Sequence, residues 1–495
     1  MKKNAILLFI GCLFMACSDN SNRPFRQLSQ LPVIFPDYTY ITIPYNIAPL
    51  NFQVNDSMKI NVTVKITGAN TYTFKSGSGL VQFPEKQWRK MMEAEKGNTV
   101  SVQLTVTKDR NDYVYRNFTW SVAPQPIDQY LSYRLIEPAY EVWNMLQIEE
   151  RNLENFDTRL LCDNNITDHT CVNCHISNHA DHPSTFMHIR GKQGGTVYAS
   201  DGRIRKINTK TDQTTGAAVY GEISNNGRFG IFTTAEIIPI LHSMRNERLE
   251  VFDKQSDLIV IDFKNGTVSN SPLVSGEAYQ ETFPCFSADN RTIYFCRAKH
   301  LPQPDSTMEM RYNLCAIDFN PETGILGDTV RLVFNAESFG KSVSFPKCSP
   351  DGKYLLMTVS DYGTFPIWHP EADLWMLNIS NGQINRMEAT NGRFSDSYHS
   401  WSSNSRWIAF ASKRYDRVYG CPYFAYVNED GTTTKAFVLP QKNPEYYHQT
   451  LKSFNIPELY KTPEIYDAHR IQNLYQKEDA ESFNFFLSPQ NTGNN

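Results

Sequence analysis

The sequence lacks the large basic excess that nucleic-acid-binding proteins use to hold phosphates. It has 48 lysines and arginines against 52 aspartates and glutamates in 495 residues, a formal net charge of −4. Without a strongly basic field, we expect no nucleic-acid partner. After residue 17 the sequence also lacks any apolar run that approaches the roughly 18 residues of a membrane-spanning helix.

Motifs of several enzyme classes are absent as well. There is no His-Glu-x-x-His and no Gly-x-Ser-x-Gly sequence. Gly340-Lys341-Ser342 resembles the end of a phosphate loop, but Asn335 stands where that loop needs a glycine. No cluster of carboxylates or histidines argues for a lyase. Whether the chain is an enzyme stays open, and the missing motifs weigh against it.

The first 17 residues have the pattern of an export signal. Two lysines precede the apolar run AILLFIGCLFMA, which is too short to span a membrane. The run ends in Ala16-Cys17, which resembles a bacterial lipobox and implies cleavage before Cys17 and lipidation of its thiol. An ordinary signal peptide with a chance cysteine is the alternative. We expect an outer-membrane lipoprotein, on the periplasmic or cell-surface face, with the lipid as its only membrane attachment.

Composition and patterning predict a mainly β protein. Strands that alternate apolar and polar residues, such as 59–66 and 99–107, predict an N-terminal β-sandwich. Pro138, followed by apolar residues at helical spacing, predicts a helix. The predicted segments are a signal peptide (1–17), a linker (18–34), the sandwich (35–125), a helical connector (126–185), a propeller (186–460) and a C-terminal tail (461–495).

A repeat that turns on a serine carries the propeller prediction. The copies align on Ser224, Ser287, Ser349 and Ser402, and each turn lies between two apolar strands. The complete turn, Ser349-Pro-Asp-Gly352, resembles that of the TolB-like propeller family, which usually has six blades. Only four copies and one fragment are clear, so we expect C-terminal residues to close the ring. The cysteines scattered along these strands are interpreted as small buried hydrophobic residues.

The sharpest chemical signal is Cys171-Val-Asn-Cys174-His175. Two thiols at this spacing can bond to the two vinyl groups of one haem, and the adjacent imidazole then binds the iron. The sequence therefore predicts haem c, attached covalently at Cys171 and Cys174 with His175 as proximal ligand. A Cys-x-x-Cys redox pair and a zinc site that uses His179 or His182 remain alternatives.

Three segments together are similar to a family of Bacteroidetes lipoproteins. They are residues 133–140, the segment 171–175 and residues 187–196, followed by the propeller. Members of that family are described as TolB-like or cytochrome c-like. The resemblance extends over most of the mature chain and supports the haem motif and the propeller. It implies no reaction.

The second axial position decides between roles for the haem. In the predicted strand 186–190, His188 lies on the opposite face from Met187, and His188 is the candidate distal ligand. Met187 and His182 are the alternatives. Arg190 and Lys192 are candidates to pair with the haem propionates.

Two functions follow from these signals. The first is a haem-bearing lipoprotein for electron transfer or redox sensing, docked to an unknown protein partner through the propeller. The second is a non-catalytic propeller that binds a protein or glycan, with the Cys-x-x-Cys pair structural, as a disulfide or a zinc site.

Overall fold

The computed structural model describes residues 24–54, 60–137, 144–178, 184–245, 247–301, 308–477 and 479–486. The predicted signal peptide with Cys17, the alternative ligands His179 and His182, and the core of the predicted helix at 138–143 lie outside these residues. The side chains of residues 173 and 174 also lie outside the description. Among the described residues, no helix is both long and apolar enough to cross a bilayer.

The first unit consists of two β-sheets and one helix, α1 (Glu85–Ala94). The larger sheet has the strand order β1-β9-β8-β10-β3, with β5 paired to β8 and β6 to β5, and the smaller has the order β2-β4-β7. Trp88 of α1 and Trp120 of β10 are fully buried in its core. The strands are β1 (Phe25–Gln27), β2 (Ile34–Phe35), β3 (Ile41–Pro44), β4 (Phe52–Val54), β5 (Asn61–Thr67), β6 (Thr71–Ser76), β7 (Leu80–Val81), β8 (Thr99–Lys108), β9 (Asn111–Val114) and β10 (Phe118–Ala123).

The rest of the described chain forms further sheets of short strands. In chain order they are β11 (Tyr130–Ile136), β12 (Leu146–Asn152), β13 (Thr158–Asp163), β14 (Val172–Ser177), β15 (Thr185–Ile189), β16 (Gly195–Ser200), β17 (Arg203–Asn208), β18 (Val219–Ile223), β19 (Phe229–Leu241), β20 (Leu249–Asp262), β21 (Thr267–Ser269), β22 (Tyr279–Phe286), β23 (Thr292–Lys299), β24 (Asn313–Phe319), β25 (Leu326–Phe334), β26 (Ser342–Cys348), β27 (Tyr354–Ser360), β28 (Asp373–Asn378), β29 (Ile384–Arg386), β30 (Asp396–Trp401), β31 (Trp407–Ser412), β32 (Cys421–Tyr426), β33 (Phe437–Val438), β34 (Ser453–Tyr460), β35 (Glu481–Ser482) and β36 (Asn484–Phe485). Two more helices are α2 (Tyr446–Gln449) and α3 (Ala468–Lys477).

These strands build a six-bladed β-propeller. Blade one has the order β34-β11-β12-β13, so the last strand of the ring pairs with the first and closes it. Blades two to six are β14–β17, β18–β21, β22–β25, β26–β29 and β30–β33. Each innermost strand contacts the innermost strands of the blades on either side, and β30 contacts β34. The predicted closure by C-terminal residues is confirmed.

The segment predicted as a helical connector is mostly β-structure, and that prediction is wrong for its described residues. Residues 130–136, 146–152 and 158–163 are the outer strands of blade one, and β14 begins blade two at Val172. Strand β11 is buried on both faces, so its sequence lacks the alternation that reveals a half-exposed strand. Within the predicted linker, residues 25–27 form an edge strand that pairs with β9.

The C-terminal segment, which the sequence predicts only as a tail, adds one short strand to the outer edge of each of two blades. Strand β35 pairs in parallel with β17, and β36 pairs in parallel with β21. Phe483 between them is buried in the cluster shared by blades two and three. The segment therefore covers two edges that would otherwise present unpaired backbone groups.

The serine turns that aligned the repeat have one common geometry. Ser349 Oγ donates to Asp351 Oδ1 at 2.7 Å and accepts from the Tyr354 N–H at 3.0 Å. Gly352 follows with φ +71°, a conformation that a side chain disfavours. The same two serine contacts recur, with Asn or Asp as acceptor, at Ser224, Ser287 and Ser402. The scattered cysteines Cys285, Cys296, Cys315, Cys348 and Cys421 are buried, as predicted, and Cys162 is buried as well.

Candidate functional site: the axial channel and the groove beside it

The innermost strands of the six blades surround a narrow axial channel, and five of them bend at a residue with positive φ. The φ values at these bends lie between 40° and 53°, and the strand pairing is interrupted there by a bulge. Such a conformation costs on the order of 1–3 kcal/mol for a residue with a side chain, so the packed blades must enforce it. The five residues are Tyr220, Phe283, Phe345, Tyr398 and Ile456.

The Cys-His end of the Cys-x-x-Cys-His segment belongs to this repeat. Strand β14 has its pairing irregularity between Asn173 and Ile176. Asn178 donates its N–H to Ser184 O, as the turn serines of the other blades do to the strand that follows. Counted from this turn, Cys174 occupies the bend position and His175 the position after it. The positions equivalent to His175 are Gly221, Pro284, Pro346, His399 and Pro457.

His175 lies in the wall of the channel. Its side chain lines a cavity of about 50 Å³ and is only 4% exposed. Neither ring nitrogen has a hydrogen-bond partner among the described residues. Burial, assisted by the charge of Arg134, lowers the pKa of His175 to about 3, although the backbone of Ile456 acts in the opposite direction. The imidazole is therefore neutral at pH 7.

The surroundings of this segment do not fit a haem. A cavity of about 50 Å³ accommodates one or two water molecules, whereas small-molecule sites usually measure about 300–1,000 Å³. Cys171, 5% exposed, packs with Val172 and Met187 in the apolar cluster between blades one and two. Four residues of extended chain span about 13 Å, so the Cys171 thiol and the His175 imidazole lie apart, in the cluster and in the channel respectively. Among the described residues, no group of three His, Cys, Asp or Glu side chains is arranged to hold a metal ion.

The other sequence-predicted ligands lie elsewhere. Met187 is fully buried in the same cluster as Cys171. His188 is on the opposite face of β15, where its Nδ1 lies 3.1 Å from Thr196 Oγ1. His188 and Arg190 line a groove of about 580 Å³ between blades two and three. Lys192 is exposed in the loop that follows Arg190. The structure thus brings His188 and Arg190 together but keeps both of them outside the cavity that His175 lines.

Three buried charges cross the channel from different blades. Lys347 Nζ of blade five lies 3.4 Å from Glu222 Oε1 of blade three and 4.0 Å from Glu458 Oε1 of blade one. The Phe286 N–H donates to the second oxygen of Glu222 at 2.6 Å. Burial raises the pKa of Glu458 to about 7 against the attraction of Lys347. Burial alone would lower the pKa of Lys347, but the two glutamates raise it above its ordinary value. The lysine therefore ties three blades together and occupies the channel itself.

A long hairpin of blade three packs over one mouth of the channel. Strands β19 and β20 extend past their own blade, and Leu249 packs on the cluster that contains Trp368 and Tyr398. Glu250 Oε2 lies 2.6 Å from His369 Nε2 of blade five, and both side chains are buried. Burial opposes the charge of His369, but Glu250 and Glu371 raise its pKa to about 9. The ion pair holds the hairpin across the ring.

Comparisons with known proteins found similar solved structures only at low TM-scores. No family model and no curated protein matches the sequence. Among solved structures, a hypothetical selenium-binding protein from Sulfolobus tokodaii is similar with a TM-score of 0.41 and 8% identity, over 72% of this chain and 97% of that one. A periplasmic gluconolactonase from Pseudomonas aeruginosa has a TM-score of 0.34 and 12% identity, over 66% and 99%. An oligogalacturonate lyase in complex with manganese has a TM-score of 0.34 and 13% identity, over 62% and 78%. These low values carry no conclusion about function.

Sequence reasoning missed the charged residues of the channel, although the repeat contains their signal. Glu222, Lys347 and Glu458 each stand two residues after the bend residue of their strand. Charged side chains in the middle of innermost strands are unusual, because such strands are buried. Aligning the repeat on the bend as well as on the turn serine would have identified all three.

Proposed function

We propose that this protein is an exported, lipid-anchored β-propeller that binds a ligand on its surface, and that Cys171 and Cys174 serve the fold rather than a haem. One observation carries the choice. The Cys-His pair stands in register with the bend of the other innermost strands, beside a cavity of about 50 Å³. This register and the small cavity support a role of His175 in the channel wall over ligation of a haem.

One further observation supports this choice over an electron-transfer protein. The Cys171 thiol packs in an apolar cluster, where burial raises its pKa against the opposing charges of Arg134 and Arg190. A neutral, enclosed thiol is a poor nucleophile and a poor partner for redox exchange. The resemblance to TolB-like lipoproteins supports the envelope location and applies equally to both functions.

The absence of covalent haem is the first expected result. Wild-type protein produced with haem-maturation machinery should be colourless and should give no haem stain after denaturing electrophoresis. Cys171→Ser should behave identically, because there is no thioether bond to lose. A stained band in the wild type that disappears in Cys171→Ser would overturn the proposal and restore the haem-bearing alternative with His175 as axial ligand.

Membrane anchoring through Cys17 is the second expected result. The apolar run that ends at Ala16-Cys17 is the only such run in the sequence, so we expect Cys17→Ala to move the protein from the membrane fraction to the soluble fraction. Cell fractionation with immunodetection measures the change. A variant that stays with the membranes would refute lipid anchoring.

A further inference from the structure

The groove between blades two and three has the size of a small-molecule site. Its volume of about 580 Å³ falls within the usual range of about 300–1,000 Å³. Strands β15 to β17 contribute one part of the lining, and β18 with the extended part of β19 contributes the other. Tyr220 lines both this groove and the channel cavity, so the groove opens beside the propeller axis.

The groove carries an uncompensated positive charge. Arg190 and Lys210 line it, and within the described part of the chain neither side chain has a hydrogen-bond or ion-pair partner. The acidic residue of the lining is Glu236, and Lys254 neutralises it at 2.7 Å. Two cations without partners in one concave site favour an anionic ligand, because the walls reduce screening by water.

A glycine loop forms the edge of the groove and lies tightly against its blade. Gly191 has φ +104°, and a Cβ there would lie 2.5 Å from Thr170 Cγ2. A Cβ on Gly194 would lie 2.5 Å from Ile189 O. Only glycine allows so close an approach at both positions.

The remaining walls of the groove are more apolar than the walls of a site that binds a small, compact anion. Val219 and Ile237 provide aliphatic surface and Tyr220 an aromatic ring, while His188 and Asn208 provide uncharged polar groups. A simple phosphate would leave most of this surface without contacts. A sugar acid has the matching chemistry, with a carboxylate for the cations, hydroxyls for the polar groups and C–H faces for the apolar walls.

We propose that this groove binds a carboxylate-bearing sugar of disaccharide size through Arg190 and Lys210. The proposal rests on the proposed function, which it deepens by naming the ligand class. Arg190 suits the two oxygens of a carboxylate because its guanidinium donates two parallel hydrogen bonds. Lys210, which follows β17, adds a second charge to the lining.

Isothermal titration calorimetry at low salt with digalacturonate as probe tests the proposal, with the methyl ester of the same disaccharide as the neutral control. We expect the acid to bind and the ester to bind at least about tenfold more weakly, the effect of losing one charge-assisted hydrogen bond. Arg190→Gln and Lys210→Gln should each weaken the binding of digalacturonate by a similar factor. Lys254→Gln should also weaken it, because Glu236 then faces the groove unneutralised.

The matched control is Arg203→Gln. It removes the same charge from blade two, but Arg203 lines a separate groove, so the affinity should not change. Equal binding of acid and ester, or full affinity in Arg190→Gln and Lys210→Gln, would overturn the proposal. Inorganic phosphate that binds as tightly as the disaccharide would assign the groove to a simple anion and also overturn it. The haem stain is scored independently on the same preparation, so failure of this site and failure of the proposed function remain distinguishable.

Discussion

Replacing Lys347 by methionine should lower the free energy of unfolding by about 3–5 kcal/mol, the usual cost of removing one partner from a buried ion pair. The variant leaves Glu222 and Glu458 in the channel without their cation. Methionine keeps most of the volume of the lysine side chain, so the loss reports charge rather than a cavity. Chemical denaturation followed by tryptophan fluorescence measures it.

The same variant should show a characteristic pH dependence. The pKa of Glu458 is raised in the folded protein to about 7 from its ordinary 4.5, so the folded state holds its proton more tightly than the unfolded state. Because of this raised pKa, the free energy of unfolding falls as the pH rises from about 4.5 to 7, and it stays lower at higher pH. Without Lys347 the pKa rises further, so the stability difference between wild type and variant should be larger at pH 8 than at pH 5.

Lys341→Met is the matched control for this prediction. Lys341 belongs to the same blade and pairs with Asp361, but both side chains are substantially exposed. Exposed pairs contribute about 0–1 kcal/mol. Equal losses in the two variants, or a Lys347→Met loss that does not change with pH, would show that the channel charges do not act as a buried cluster.

The sequence predicts the propeller well because its turns are local. A serine that bonds to the residue two positions on and to the N–H five positions on needs only a short segment to form, as at Ser349. The pairing of β34 with β11 could not be predicted from a local pattern of this kind. Strands β11 and β34 pair across more than 300 residues, and their alternation is weak because both are buried. Long-range pairing of this kind leaves no mark in a local pattern.

The Cys-x-x-Cys-His motif shows that a short local pattern does not predict the structural element in which its residues lie. Cys-x-x-Cys-His predicts haem from the chemistry of five residues, whichever element contains them. In the structure, the pairing of β14 with β15 and the turn at Asn178 set these residues in the register of the propeller repeat. The sequence singled out Arg190 and His188 as candidates to bind a haem, not as the lining of a groove. Lys210 joins them only because β17 folds back beside β16.

Proline substitution at two adjacent positions of β14 tests most directly whether the Cys-x-x-Cys-His segment is a propeller strand. His175→Pro introduces the residue that other blades carry at the equivalent positions 284, 346 and 457, and it removes a buried imidazole without hydrogen-bond partners. We expect it to change the free energy of unfolding by no more than about 1 kcal/mol, since an unsatisfied buried group contributes no stability. Ile176 pairs in register with Phe186, so Ile176→Pro should interrupt the strand ladder and cost about 3 kcal/mol or more. A tolerated His175→Pro beside a disruptive Ile176→Pro is the result predicted for a channel wall. Loss of the fold in His175→Pro, with Ile176→Pro tolerated, would contradict it.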